Sequence, residues 1–86
     1  MEHQIEPNYL ALITAANDNL MEKEHRLEQQ RNAVSAARYY FAAAPCKETV
    51  LNLRGAMANL RADQAAEEKA RQRLETLVQD VYEHME

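Results

Sequence analysis

Pro45 stands almost at the midpoint of the 86-residue chain and is the strongest interruption of a helix-forming sequence. Its ring removes a backbone hydrogen bond and pushes Ala44 towards an extended conformation, so a helix cannot run through it undisturbed. The chain has one glycine and one further proline, which leaves little material for other turns. The sequence therefore predicts two long helices joined by a short turn near residues 44–46.

The first half of the chain carries a heptad seam, in which apolar or small residues recur at alternating steps of four and three. The predicted seam positions are Tyr9, Ile13, Ala16, Leu20, Leu27, Val34, Ala37 and Phe41, with Lys23 and Gln30 in the two gaps. Pro7 suits the first turn of this helix, and we expect residues 1–6 to be frayed. Asn17–Asn19 offers an alternative helix start, because Asn19 with Glu22 resembles a capping box. The unchanged heptad phase favours one continuous helix.

The second half repeats the pattern from Val50 onwards. Its predicted seam consists of Val50, Leu53, Met57, Leu60, Gln64, Glu67, Arg71, Leu74, Val78, Val81 and Met85. Two such helices joined by a short turn pack side by side and antiparallel. Counting outward from the turn then predicts the facing pairs Phe41–Val50, Ala37–Leu53, Gln30–Leu60, Ile13–Leu77 and Tyr9–Val81.

The same count places Lys23 opposite Glu67, in a polar middle between two apolar ends. An opposite-charge pair in a seam can specify register while it adds little stability. We therefore predict that Lys23 and Glu67 form a register pair. The alternative is two solvated charges on a loosely packed waist.

Several large apolar residues fall outside the predicted seam, although a two-helix hairpin buries only one stripe on each helix. A wider apolar stripe predicts a further partner. The simplest partner is a second copy, which would give a homodimeric four-helix bundle; an unidentified protein or a monomer that tolerates exposed leucines are the alternatives. Leu51 belongs to this set, and the candidate partner-binding residues are Leu10, Leu12, Met21, Tyr39, Tyr40, Leu77 and Tyr82.

Glu22 and His25 carry the sharpest chemical signal, because Glu-x-x-His on a helix is the ligand spacing of di-iron bundles. Glu67 and Glu68 lie at a matching height, so a metal-binding dimeric bundle is an alternative function. Against it, the heptad phase turns Glu22 and His25 to the solvent and Lys23 inward. We predict no metal, no cofactor and no enzymatic activity, since no nucleophile has a base at helical spacing and Cys46 reads as an ordinary reduced thiol.

The net charge of −4 is spread evenly over the two halves of the chain. No basic patch stands out, so nucleic-acid binding is a weaker alternative that depends on arginines of the second helix. Salt bridges to Asp63, Glu67, Glu68 and Glu75 explain those arginines, which are Arg54, Arg61, Arg71 and Arg73, more simply. With no signal peptide and no long apolar run, we expect a cytoplasmic protein without a membrane partner or an evident small-molecule substrate.

These patterns predict an all-α chain, with residues 1–86 forming a single long antiparallel helical hairpin. The architecture resembles that of small hairpins among secretion-system chaperones and needle subunits and among accessory proteins of phages and plasmids, although the glycine or Pro-Asp turn of needle subunits is absent. The predicted function is a non-enzymatic protein–protein interaction module, such as a small regulator, inhibitor or adaptor of a larger complex.

Overall fold

A computed structural model describes residues 5–85, which form two helices packed as a hairpin. Helix α1 spans Pro7–Ala43 and helix α2 spans Lys47–His84. The hairpin measures 66 × 15 × 14 Å. The predicted fold and the position of the turn are confirmed, and α1 runs unbroken through Asn17–Asn19, so the alternative helix start there is wrong.

Helix α1 begins at Pro7, which occupies the first helical position as predicted. Glu6 precedes it, and the carbonyl oxygen of Glu6 accepts the N–H of Leu10 at 2.9 Å. Of the residues that we expected to be frayed, 1–4 lie outside the described residues. Glu6 instead makes the first hydrogen bond of the helix.

The turn between the helices is closed by Thr49. Its hydroxyl accepts the N–H of Cys46 at 3.0 Å and donates to the carbonyl oxygen of Ala44 at 2.9 Å. Cys46 is extended, and together with Thr49 it forms a capping box at the start of α2. On the other side, Ala44 donates its N–H to the carbonyl oxygen of Tyr40 at 2.9 Å. These bonds satisfy helix-end groups without any described residue in the left-handed conformation.

The seam of α1 is confirmed in full. Ala16, Leu20 and Leu27 are buried, and every other α1 residue that is not exposed is also a predicted seam position. Lys23 and Gln30 are half-buried, so the two polar residues do fill the gaps of the repeat.

The seam of α2 was predicted correctly in one of its two series. Leu53, Leu60, Glu67, Leu74 and Val81 are buried or half-buried, but Val50, Met57, Gln64, Arg71 and Val78 are exposed. The second series is one residue earlier and consists of Thr49, Ala56, Asp63, Ala70 and Leu77. The residues of this series differ in size, and each of them is less exposed than its neighbour in the predicted series.

The predicted alignment of the helices agrees with the corrected seam in four of its five facing pairs. Both members are buried or half-buried in Ala37–Leu53, Gln30–Leu60, Ile13–Leu77 and Tyr9–Val81. The predicted facing pair Phe41–Val50 is wrong, because Thr49 and not Val50 turns inward there. At the open end the ring centroids of Tyr9 and His84 lie 5.9 Å apart, which joins the two helices near their outer ends.

The core of the hairpin is thin. Its buried large side chains are Leu20, Leu27, Leu77 and Val81, and no side chain among residues 5–85 is completely shut off from solvent. Eleven large hydrophobic residues in the same part of the chain are exposed. Eight more are half-buried, so one hairpin leaves about half of its large apolar side chains exposed. Assembly into a four-helix bundle stays a prediction.

Candidate interaction surfaces

The polar waist of the seam is organised around Glu67, which is only 7% exposed. Arg71 Nη2 lies 2.5 Å from Glu67 Oε1, while Arg71 Nη1 lies 3.4 Å from Glu68 Oε2. Glu67 Oε1 nevertheless accepts no well-aligned hydrogen bond. The approach of Arg71 therefore neutralises the buried carboxylate without fully replacing its hydration.

Lys23 makes no ion pair with Glu67 among residues 5–85, and a role of the two residues in setting the register stays a prediction. Both residues occupy seam positions, but the ion pairs of residues 5–85 join Arg71 to Glu67 and to Glu68 and include none to Lys23. Arg71 lies one turn from Glu67 on the same helix and reaches the carboxylate from the exposed flank. Its guanidinium group stays in contact with solvent there. The alternative prediction is two solvated charges on a loosely packed waist. It fits Lys23 better than Glu67, because Glu67 is buried.

One flank of α1 adjoins one flank of α2. In the middle of the hairpin, a single shallow surface is lined by residues of both helices: Glu24, Leu27, Glu28, Arg31, Asn32, Glu67 and Arg71. Leu10 lies two heptads before Glu24, and Val78 lies one heptad after Arg71, so both fall on this same flank near the open end. The seam is therefore bordered there by exposed apolar residues from both helices.

Six of the seven predicted partner-binding residues are exposed. The exposed fraction is largest for Tyr39, at 70%, and large values are shared by Leu10, Leu12, Met21, Tyr40 and Tyr82. Leu77 is the exception and a correction, because it is 9% exposed and belongs to the seam opposite Ile13. Its burial follows from the one-residue shift of the second α2 series.

The exposed apolar surface of α2 includes residues that the sequence pattern assigns to the seam. Val50, Met57 and Val78 are exposed, and Leu51 beside Val50 is half exposed. The signal that separates the two series is the recurrence of alanine one residue earlier, at Ala56 and Ala70. A prediction that gives large apolar side chains more weight than alanine assigns Val50, Met57 and Val78 to the seam. It therefore misses the exposed apolar stripe that these residues form.

Tyr39 and Tyr40 form an aromatic pair beside the turn. Their ring centroids lie 5.7 Å apart with the ring planes nearly perpendicular, at 79°. This edge-to-face arrangement is favoured by the quadrupoles of the rings and fixes both side chains in an exposed position. The tip of the hairpin thus presents two rigid amphipathic side chains.

Arg54 and Arg61 lie on the outer face of α2 without ion pairs among residues 5–85. Together with Leu51, Gly55, Met57 and Ala58 they line a shallow concave surface. The prediction that salt bridges within the helix account for the arginines is therefore right for Arg71 and, among residues 5–85, wrong for Arg54, Arg61 and Arg73. No carboxylate lies one turn away from any of these three residues.

The candidate metal ligands are not brought together. Glu22 and His25 are exposed, as the heptad phase predicts, and the Nε2 atom of His25 lies 3.3 Å from the side-chain nitrogen of Gln29. Glu67 lies inside the seam. Residues 5–85 contain no group of three or more potential ligands placed to hold an ion.

Cys46 is exposed at the start of α2. The hydroxyl and the backbone N–H of Thr49 lower the pKa of the Cys46 thiol below its ordinary value. No histidine or carboxylate joins the pair through a hydrogen bond in the described part of the chain. The arrangement caps a helix and supplies no catalytic base.

Neither described helix has a stretch that is long and apolar enough to cross a membrane. Comparison with protein-family models, curated proteins and solved structures finds no match to this chain. The surfaces of the hairpin are thus the features from which its function is inferred.

Proposed function

We propose that this protein is a non-enzymatic helical interaction module that docks on another protein through exposed apolar residues. The observation that carries the proposal is the number of exposed large hydrophobic residues: among residues 5–85, eleven are exposed, eight are half-buried and only four are buried. Apolar surface of this kind is costly in water and marks contact surfaces when it is clustered. A small regulator, inhibitor or adaptor of a larger complex fits this design.

Helix α1 offers the clearest surface for a different protein. Leu10 and Met21 are 51% and 58% exposed and, eleven residues apart, share one side of α1 near the open end. Leu12, which is 44% exposed, lies on the opposite flank of the seam. Leu10 borders the apolar flank shared with Val78, so a partner helix could lie along the groove between α1 and α2. Tyr39 and Tyr40 add a second contact at the tip, where tyrosines serve well as anchors.

Partner capture with matched variants tests the proposal. The wild-type protein, the variant Leu10→Ser/Leu12→Ser/Met21→Ser and the control Ala11→Ser/Ala15→Ser/Ala36→Ser would be cross-linked in the native cell at natural abundance. All control positions are exposed on α1. We expect one protein to be retained stoichiometrically by the wild type and the control and to be lost from the leucine and methionine variant.

Circular dichroism of the three proteins must first show equal helix content, which separates lost binding from lost folding. A further variant, Tyr39→Ala/Tyr40→Ala, assigns the tip to the same contact or to another one. Equal retention by all variants, or the absence of any stoichiometric partner, would overturn the proposal.

A further inference from the structure

Six exposed residues form a column along the outer face of α2 at intervals of seven. They are Lys47, Arg54, Arg61, Glu68, Glu75 and Tyr82. Because the seam of α2 keeps a strict seven-residue repeat, residues at this interval stay at a constant angle to it and lie in one line. The first three are cationic, the next two are anionic and the last is aromatic.

The charges of this column are poorly satisfied within the hairpin. The residues one turn away from Arg54 are Val50, Leu51, Met57 and Ala58, and those around Arg61 are Met57, Ala58, Gln64 and Ala65. The two guanidinium groups are therefore surrounded on α2 by apolar or uncharged side chains and have no carboxylate one turn away. Glu68 is only partly engaged, by Arg71 and Gln72 at 3.4 Å each.

We propose that a second copy of this chain docks antiparallel on the outer face of α2, with a two-fold axis that passes between Arg61 and Glu68. The rotation places Arg61 against Glu68 of the second copy and Arg54 against Glu75 of the second copy. Lys47 then meets the ring of Tyr82 of the second copy, a cation–π contact. Each pair occurs twice, so the pattern is self-complementary.

The neighbouring columns agree with the same axis. Gln64 and Ala65 lie at the centre, where short or uncharged side chains allow two helices to approach. Val50 falls opposite Val78 of the second copy, so apolar residues close both ends of the contact. The concave surface around Gly55 faces an acidic one lined by Gln72, Glu75, Thr76, Gln79 and Asp80.

Other arrangements lack this complementarity. A parallel pair of α2 helices would set Arg54 and Arg61 against themselves and Glu68 and Glu75 against themselves. The equivalent column of α1 has a single charged member and cannot recognise itself by charge; it consists of Pro7, Thr14, Met21, Glu28, Ser35 and Ala42. The two α2 helices therefore lie at the centre of the dimer and the two α1 helices outside.

The inference rests on the proposed function in that it names one protein partner of the module. Its charged column lies on α2, and only Val78 belongs to both contact surfaces. Leu10, Leu12 and Met21 belong to α1 and stay accessible in the dimer. A failure of dimerisation would leave the partner surface of α1 intact, and the two ideas can be tested separately.

Charge reversal and analytical ultracentrifugation test the dimer. Arg61→Glu sets a carboxylate against Glu68 of the second copy, and Glu68→Arg sets a guanidinium against Arg61 of the second copy, each twice because of the two-fold axis. We expect each variant to raise the dimer Kd by at least about tenfold. In a heterodimer of the two variants, the glutamate introduced at position 61 meets the arginine introduced at position 68, and the native Glu68 of the first variant meets the native Arg61 of the second. Both contacts therefore join opposite charges again. An equimolar mixture should therefore form a heterodimer with close to wild-type affinity.

Arg73→Glu is the matched control, because Arg73 is exposed on α2 but lies outside the column. It should dimerise like the wild type, and added salt should weaken the wild-type dimer. A wild-type protein that stays monomeric at roughly 100 μM, single variants that dimerise normally, or a mixture that stays monomeric would each overturn the proposal. So would a monomer whose Arg54 and Arg61 instead bind duplex DNA in a salt-sensitive manner.

The capture experiment repeated with Arg61→Glu separates the two proposals. Loss of the dimer with unchanged capture of the α1 partner shows that the two surfaces are independent. Loss of both in this variant would show that capture depends on the dimer or on the α2 column, and would overturn the assignment of an independent partner surface to α1.

Discussion

Arg71 holds the carboxylate of Glu67 from one turn further along α2, and not from the opposite helix. Glu67 is thus a buried charge in a coiled-coil seam. Its ion pair lies within α2 and contributes nothing to the contact between α1 and α2. Replacing such a group with an apolar one of similar size is often stabilising, because the desolvation cost exceeds the gain from the pair.

Glu67→Leu should accordingly raise the free energy of unfolding by about 1–3 kcal/mol. Arg71→Ala should lower it, since the buried carboxylate would lose its neighbour. Urea unfolding followed by circular dichroism measures both, with Glu22→Leu on the exposed side of α1 as a control that changes stability by about 0.5 kcal/mol or less. A destabilised Glu67→Leu protein would mean that Lys23 pairs with Glu67 after all.

Leu27 is the most deeply buried residue of the seam, at 4% exposure. Leu27→Ala removes most of the buried side chain and leaves a cavity between the helices. This should lower the free energy of unfolding by about 2–5 kcal/mol. Leu12→Ala is the matched change at an exposed position and should cost about 0.5 kcal/mol or less. The urea midpoints of the two variants compare them directly, and similar midpoints would contradict the assigned seam.

Gly55 is inside α2, and a methyl group at this position would meet no atom within 4 Å. Gly55→Ala should therefore gain the full difference in helix propensity, about 1 kcal/mol. In thermal unfolding, this corresponds to a rise in Tm of about 4–8 °C. Ala62→Gly, at an exposed position one heptad away, should lower Tm by a similar amount; a fall in Tm for Gly55→Ala would show that the position is in close contact.

Thr49 lowers the pKa of the Cys46 thiol, so the reactive thiolate is more populated at neutral pH than in an ordinary cysteine. Thr49→Val removes the hydroxyl and should move the midpoint of the pH–rate profile for alkylation to higher pH, although the backbone N–H remains. Thr14→Val, far from the turn, should leave the profile unchanged. An identical profile in all three proteins would exclude a role for the hydroxyl.

The α1 seam could be predicted from sequence because its apolar residues are large and its two polar gaps keep the phase. The α2 seam could be predicted only in part, because two series compete one residue apart. Met57 is more hydrophobic than Ala56, yet Ala56 is half-buried and Met57 is exposed. Leu77 and Val78 are both large and apolar, and only Leu77 is buried. Hydrophobicity alone does not decide which of two neighbouring residues packs inside.

The one-residue error in the α2 seam also affects the predicted contact surface. The sequence pattern places Val78 in the seam and Leu77 on the contact surface, whereas Val78 is exposed and Leu77 is buried. The cap formed by Thr49 escapes prediction for a different reason. Cysteine is not a common residue at the position before a helix, so the reciprocal bonds of Cys46 and Thr49 have no familiar sequence signature.

The elongated shape of the hairpin has a consequence for any molecules that bind at its two ends. Leu10 and Tyr39 are separated by 29 residues of one uninterrupted helix, which corresponds to about 44 Å at the usual rise per residue. Molecules bound at the tip and at the open end would be held at a fixed distance from each other. Small domains bound at the two ends would be too far apart to make contact. The hairpin would then serve as a stiff spacer whose length sets the distance between them.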